Sequence, residues 1–167
     1  MAYEIERKFL VLPLQVKPYL TKHLHLKPII VEIEQHYFER DNQTGRIRKY
    51  GDKYFITLKK GEGLIREEYE TEVQEVVYKN ITSSSQNLHS LQKTRFIVEV
   101  EGLRYEFDQF KGNLEGLVFV EVEFDSLDDA NNFKMAEIFK PVIIKEVTHL
   151  KEFTNANLAK KQLIPLF

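Results

Sequence analysis

Alternation is the feature that most constrains this chain. Run after run places a charged residue at every second position with an apolar one between, from YEIERKFLVL at 3–12 to LVFVEVEF at 117–124. Side chains point to opposite faces of a strand with period two, so such runs read as strands whose charges share one face. Strands are expected over 3–12, 29–40, 45–50, 53–60, 64–74, 93–101, 103–110 and 117–124, with a short one near 142–147. Turn-forming breaks separate them, among them DNQTG at 41–45, Gly51-Asp52, the Gly61 and Gly63 pair, and Glu101-Gly102. Helices are expected in the stretch carrying Tyr19, Leu20, Leu24 and Leu26, near 73–80, over 127–139 between a Ser126 cap and Pro141, and over 154–162. Contiguous strand runs in 167 residues point to a single domain, 1–167, built on an antiparallel sheet rather than on βαβ crossovers.

Sorting the strands by face gives rows of unusual composition. Glu4, Glu6 and Lys8 share one side of the first strand, with Ile5, Arg7 and Phe9 on the other. Arg46 aligns with Arg48, Thr57 with Lys59, and Arg66 with Glu68, Glu70 and Glu72. Lys93, Arg95, Glu99 and Glu101 follow, then Arg104, Glu106 and Asp108, then Glu121 and Glu123. The opposing rows are mostly apolar, as in Phe96, Val98 and Val100 or Val118, Val120 and Val122. One reading is a sheet with a single wet face laced by cross-strand ion pairs. Two features oppose it. The charged rows are poor in serine, threonine and glutamine, and like charges sit side by side, where they repel unless something binds between them. Paired carboxylates suit a hard divalent cation such as Mg²⁺ or Mn²⁺, while arginine and lysine blocks suit phosphate. Strands closing into a barrel around both would make a metal–phosphate interior.

Composition narrows the remaining classes. Lys and Arg number 24 against 26 Asp and Glu, a net charge of −2, so nonspecific nucleic-acid binding has no net-charge support. Cysteine is absent, which removes disulfides, thiolate zinc sites and cysteine nucleophiles and suits a reducing cytoplasm. No apolar run approaches the roughly 18 residues of a membrane span, and the chain opens on an acidic strand rather than a signal peptide. A cytoplasmic protein with neither nucleic acid nor membrane as partner is expected.

The motifs, taken in order, carry a resemblance. Glu4-Ile5-Glu6-Arg7-Lys8, Arg46-Ile47-Arg48, Thr57-Leu58-Lys59, Arg66-Glu67-Glu68-Tyr69-Glu70, Lys93-Thr94-Arg95, Phe107-Asp108 and Glu121-Val122-Glu123 span most of the chain. In them the chain resembles the CYTH (adenylate cyclase–thiamine triphosphatase) superfamily, the triphosphate tunnel metalloenzymes. One Glu-x-Glu-x-Lys arises by chance; seven ordered motifs that all supply inward charges are specific. The resemblance implies a mainly β (α+β) fold, an eight-stranded antiparallel closed barrel with a few helices packed outside. By position it implies Lys8, Arg46, Arg48, Lys59, Arg66, Lys93 and Arg95 as phosphate binders. It implies Glu4, Glu6, Glu68, Glu70, Asp108, Glu121 and Glu123 as the carboxylates that hold one or two Mg²⁺ or Mn²⁺ ions. Lys93 matches a lysine proposed to activate water in short bacterial members, with Lys8 next in line.

The activity so implied is metal-dependent hydrolysis of inorganic tripolyphosphate or a similar linear triphosphate, a small-molecule substrate, by a chain for which a homodimer is admissible. A class IV adenylyl cyclase, making cyclic AMP and diphosphate from ATP, would use nearly the same site, but no adenine-binding motif is evident. A non-catalytic polyphosphate-binding module is disfavoured, since anion binding alone does not favour so many inward carboxylates. One segment departs from the family pattern: after Glu146-Val147-Thr148 the short bacterial members usually show Asp-x-Arg-Tyr, where this chain has Leu150-Lys151-Glu152-Phe153.

Other candidates are weaker. His23 and His25 have no third ligand nearby for zinc. Lys60-Gly61-Glu62-Gly63 lacks the spacing of a P-loop and reads as a hairpin loop, and the serines at 83–85 read as a connection without a histidine partner. Phe133, Ile138 and Phe139 are expected to face the core from the 127–139 helix. Tyr37, two after Gln35, is expected to pack as a wall residue.

Overall fold

A computed structural model of the chain describes residues 2–40, 43–61, 63–84 and 87–167. Its strands, in chain order, are β1 (Ala2–Val11), β2 (Ile29–Arg40), β3 (Gln43–Tyr50), β4 (Lys53–Lys60), β5 (Ile65–Val73), β6 (His89–Val100), β7 (Leu103–Phe110), β8 (Val118–Glu123) and β9 (Ile143–Glu146). The helices are α1 (Val16–Pro18), which continues as a π-helical turn over Tyr19–His23, α2 (Glu75–Ser84), α3 (Leu127–Asn131) and α4 (Asn155–Lys161). The sheet is ordered β5-β4-β3-β2-β6-β7-β8-β1-β9, antiparallel throughout, and β5 pairs back onto β1. That closure comes from the length of β1. Its first residues, Ala2 to Ile5, pair with β5, while Glu6 to Val11 pair with β8 and Phe9 to Val11 also meet β9. Eight strands thus close into a barrel with β9 as an extra strand beside β1. At the β6–β7 turn, Glu101 and Gly102 have φ of +53° and +76°, the left-handed pair that a two-residue hairpin needs.

The register separates the two kinds of row. Arg46 lies opposite Thr57, Lys59 opposite Glu68, Arg95 opposite Asp108, and Glu121 opposite both Lys8 and Glu106, all lumenal. The apolar rows point the other way, so the larger dry core lies outside the wall. Phe9, Val98, Tyr105, Phe107, Val120 and Val122 are covered there by Leu20, Ala130, Phe139 and Val142. A second apolar cluster fills part of the barrel and packs it against α4: Leu10, Tyr37, Leu91, Phe110 and Phe119 meet Phe153 and Leu158.

Two expectations about helices are corrected. Ser126 does cap a helix, accepting the amide of Asp129 at 3.1 Å, but α3 stops at Asn131 rather than continuing to 139. Asn131 and Asn132 are poor helix formers, and leaving the helix lets Phe133 insert among Phe9, Tyr105 and Phe124. Phe139 is fully buried as expected, whereas Ile138 is 41% exposed and faces solvent. The helix expected near 73–80 runs on to Ser84, where the hydroxyls of Thr82, Ser83 and Ser84 donate to carbonyls of the preceding turn. Asp41, Asn42, Glu62, Ser85 and Gln86, which belong to expected turns and connections, lie outside the described residues.

Candidate active site

The barrel encloses two chambers that share a neck. The inner one, about 300 Å³, is lined by Glu4, Glu6, Glu68, Glu70, Glu106, Glu121 and Glu123 together with Arg46, Arg48, Lys59, Lys93, Arg95 and Arg104. The outer one, about 450 Å³, is a vestibule lined by Lys8, Arg46, Lys59, Arg66, His149 and Lys151, with Glu39 as its acid and threonine and asparagine side chains between. The inner chamber is therefore mixed and slightly acid-rich, whereas the vestibule is basic.

Cross-strand pairing places most inner charges in ion pairs. Lys59 Nζ donates to Glu4 Oε1 at 3.0 Å, and Lys8 lies 3.6 Å from Glu121. Arg46 and Arg48 both approach Glu70, at 3.4 and 3.7 Å, and the Thr57 hydroxyl donates to the same carboxylate at 2.8 Å. On the opposite wall Arg95 grips Asp108 with two bonds of 2.8 and 2.9 Å and reaches Glu106 at 3.1 Å, while Lys93 Nζ sits 2.7 Å from Asp108. Asp108 is fully buried and Lys93 almost so.

These neighbours set the titration of each group. Burial pulls the Lys93 ammonium down to about 8, with Arg95 helping and Asp108 opposing. Burial works against ionised Asp108, but Arg95 and Lys93 overcome it and hold the carboxyl well below the usual range. Glu6 makes no ion pair among the described residues: burial, then Glu121 and Glu4, push it up to about 8 against the pull of Lys59 and Lys8. It is half-buried and lines the inner chamber. Glu68 is pushed up to about 7 by burial and by sharing a hydrogen bond with Glu4. Glu4 itself stays down at about 2, because Lys59 and that bond outweigh burial. Glu123 is raised by burial and by Glu4 and Glu106. Arg48 is lowered to about 10 by burial and by Arg46 and Arg95.

Like charges are thus held together on both sides of the chamber, and some polar atoms have no partner. The Nε donors of Arg46, Arg48 and Arg66 are buried and unbonded, as is Asn155 Oδ1. Orphaned donors on three guanidinium groups fit an anion, because a buried polar group without a partner is costly. Glu4, Glu6, Glu68, Glu121 and Glu123 form a set of oxygen donors, of which Glu6, Glu68 and Glu123 are held above the usual carboxylate range by burial and by one another, and that chemistry fits a hard divalent cation. Among the described residues no three acidic or histidine side chains converge into a ready coordination shell, since Glu4 and Glu121 are turned towards lysines.

Every sequence-derived site residue lines the inner chamber or the vestibule except Asp108, which is fully buried behind Arg95 and Lys93. Tyr37 packs in the wall and also accepts a 2.6 Å bond from Gln35 Nε2. Tyr50 and Phe55 line the inner chamber too, and Tyr50 lies 4.9 Å from the Arg48 guanidinium carbon. Period two continues the Arg46 and Arg48 row to Tyr50 and the Thr57 row back to Phe55, so that signal was available. Asn155 had none, because it enters from a helix outside the barrel.

A closed β-barrel whose lumen carries opposed rows of carboxylates and guanidinium groups has the chemistry of an anion-binding site lined with oxygen donors. The chain matches a CYTH domain over residues 2–154 and belongs to the CYTH-domain family. It is 35% identical over 159 residues to an inorganic triphosphatase of Nitrosomonas europaea, covering 93% of this chain and 96% of that protein. It is 33% identical over 162 residues to an inorganic triphosphatase of Acetivibrio thermocellus, covering 96% and 95%. The crystal structure of an inorganic triphosphatase superposes over 99% of both chains with a TM-score of 0.64 at 31% identity.

Proposed function

We propose that this protein hydrolyses inorganic tripolyphosphate, or a closely similar linear triphosphate, to orthophosphate and a shortened chain in a Mg²⁺- or Mn²⁺-dependent reaction. The observation that carries the reading is the coexistence, in one lumen, of unbonded buried guanidinium donors and of clustered carboxylates whose affinity for a proton is raised by burial and by one another. Arg46, Arg48, Lys59, Arg66 and Lys8 hold the phosphate chain, with Arg95 orienting the inner end. Glu4, Glu6, Glu68, Glu121 and Glu123 would hold the divalent ion, which when bound withdraws charge from the phosphoryl oxygens. Glu70 serves as counter-ion to Arg46 and Arg48, and Asp108 as counter-ion to Arg95 and Lys93 rather than as a ligand, since its oxygens already accept three short contacts.

Lys93 is the general base of this reading. An ammonium pulled down to about 8 gives up its proton as the pH rises through that value, so part of it is already the neutral amine near neutral pH. The neutral amine then takes a proton from the attacking water, and Asp108 stabilises the ammonium that forms. The phosphorus–oxygen bond to the leaving diphosphate breaks as the water oxygen bonds to phosphorus. No helix among the described residues is long and apolar enough to cross a membrane, and a chain without cysteine suits a reducing cytoplasm, where we place it.

Phosphorus NMR tests this directly. Incubation with tripolyphosphate and Mg²⁺ or Mn²⁺ should yield orthophosphate and diphosphate, and excess chelator should stop the reaction. Full turnover in chelator would remove the metal-dependent reading. Cyclic AMP as the main product from ATP would replace hydrolysis with cyclisation.

A further inference from the structure

We propose that Asn155 is a specificity-determining residue that contacts the substrate at the neck between the two chambers, its Nδ2 donating to a phosphoryl oxygen while its Oδ1 accepts from a water. The inference rests on the triphosphatase reading and adds a contact that lies just past the matched CYTH segment, which ends at residue 154.

Among the described residues, Arg46, Lys59 and Asn155 alone line both chambers. Any chain of phosphates running from the basic vestibule to the acid-rich interior passes these three side chains. Arg46 and Lys59 are already committed to Glu70 and Glu4. Asn155 is uncommitted: its Oδ1 is buried without a hydrogen-bond partner. A carboxamide kept for local structure would bond its own backbone or a neighbour, as Asn157 does by donating to the Lys151 carbonyl at 2.7 Å. A bare acceptor is completed by any donor, and water in the chamber supplies one. No contact among the described residues occupies the Nδ2 donors, which are left for an anion.

The position is also rigid. Phe153 is buried against Phe119, its carbonyl accepts Lys8 Nζ at 3.3 Å, and Thr154 caps α4 by accepting the Asn157 amide. Leu158 and Ala159 anchor the next turn in the apolar cluster. A donor fixed this way holds its geometry without the reorganisation a lysine stem requires. It carries no charge, so it selects by position where Arg46 and Lys59 select by charge.

The test begins with steady-state hydrolysis of tripolyphosphate by the unmodified protein; no hydrolysis there would remove the parent reading along with this one. Given activity, Asn155→Ala should raise KM for tripolyphosphate about ten- to a hundredfold, the size of one lost hydrogen bond to a charged group, with kcat within about threefold. Asn155→Asp, of the same shape, should raise KM further, because it replaces the donor with a like charge. Melting temperatures should match the unmodified protein, since no protein partner is lost; if Asn155→Ala does not fold, Asn155→Ser carries the same KM expectation. Unchanged KM in both variants would overturn the proposal. A loss confined to kcat, or a KM change that tracks a fall in melting temperature, would overturn it too.

Discussion

Asp108 and Glu6 are two carboxylates of one lumen with opposite fates. Asp108, on β7, faces Arg95 across the ladder and Lys93 beside it, and three contacts of 2.7 to 2.9 Å keep it ionised well below its ordinary range. Glu6, on β1, faces Glu123 across the ladder, and burial, then Glu121 and Glu4, raise its pKa to about 8. The same fold and the same functional group give one charge that is complete and fully buried and one, half-buried in the chamber, that has no counter-ion. What differs is the row opposite. A cationic row makes a structural ion pair; an acidic row leaves the charge without a counter-ion, which is where the proposed reading puts the divalent cation. Lys93 belongs to the complete cluster, yet burial lowers its pKa to about 8, which is what the proposed general base requires.

Substitutions sharpen that contrast, beginning with the largest effect. Lys93→Ala should lower kcat by about 10²–10⁴-fold while tripolyphosphate still binds, read by steady-state kinetics and by calorimetric titration; normal turnover would move the base to Lys8. Activity of the unmodified protein should rise with pH as Lys93 loses its proton through about 8. Next, Arg95→Met should destabilise the fold by about 3–5 kcal/mol, because it leaves Asp108 buried with a single cation. Denaturant unfolding measures this, and a loss below about 1 kcal/mol would show that solvent reaches Asp108. Glu6→Gln should do the reverse in chelator at pH 8, raising stability by about 1 kcal/mol by removing an ionising group without a counter-ion, while abolishing metal-supported activity. Stabilisation together with full activity would show that Glu6 holds no ion.

Much of this contrast is legible in the chain, because period two fixes which side chains share a face whatever the fold. Glu4, Glu6 and Lys8 are bound to point one way, and so are Arg46 and Arg48. Their inward direction rests on reading like charges as unsuited to a plain wet face. Strand partners were not legible. Nothing local says that β2 pairs with β6, that β1 bridges β5 and β8, or that Glu6 lies opposite Glu123 while Asp108 lies opposite Arg95. Yet that register alone decides which carboxylate is paired. The α3 region misled for a related reason: its apolar spacing at Phe133 and Phe139 reads as a helix face, but both rings reach the outer core from a segment that has left the helix. Asn155 was invisible because a lone asparagine at a helix start carries no pattern, and only closure of the barrel brings it to the neck.

The smallest effect lies in the pH dependence of the two regions without metal, and its sign separates them. Glu6 and Glu68 have folded pKa values of about 8 and about 7, against an ordinary value of 4.5. Between those limits the native state binds protons that the unfolded chain has released, so stability falls as pH rises from about 4.5 to about 8. Asp108 has the opposite sign: its folded pKa lies below 3.8, so its contribution is present above that value and is lost as pH falls through it. In chelator, therefore, the melting temperature should decline from pH 5 to pH 8 by the equivalent of about 1 kcal/mol after discounting for solvent in the lumen. Adding Mg²⁺ should flatten the decline, because a bound cation takes over the role the proton plays at Glu6. A decline that persists unchanged in Mg²⁺ would mean the ion does not reach Glu6. A flat profile in chelator would mean that Glu6 is as well compensated as Asp108 and that the difference between the two is only one of position.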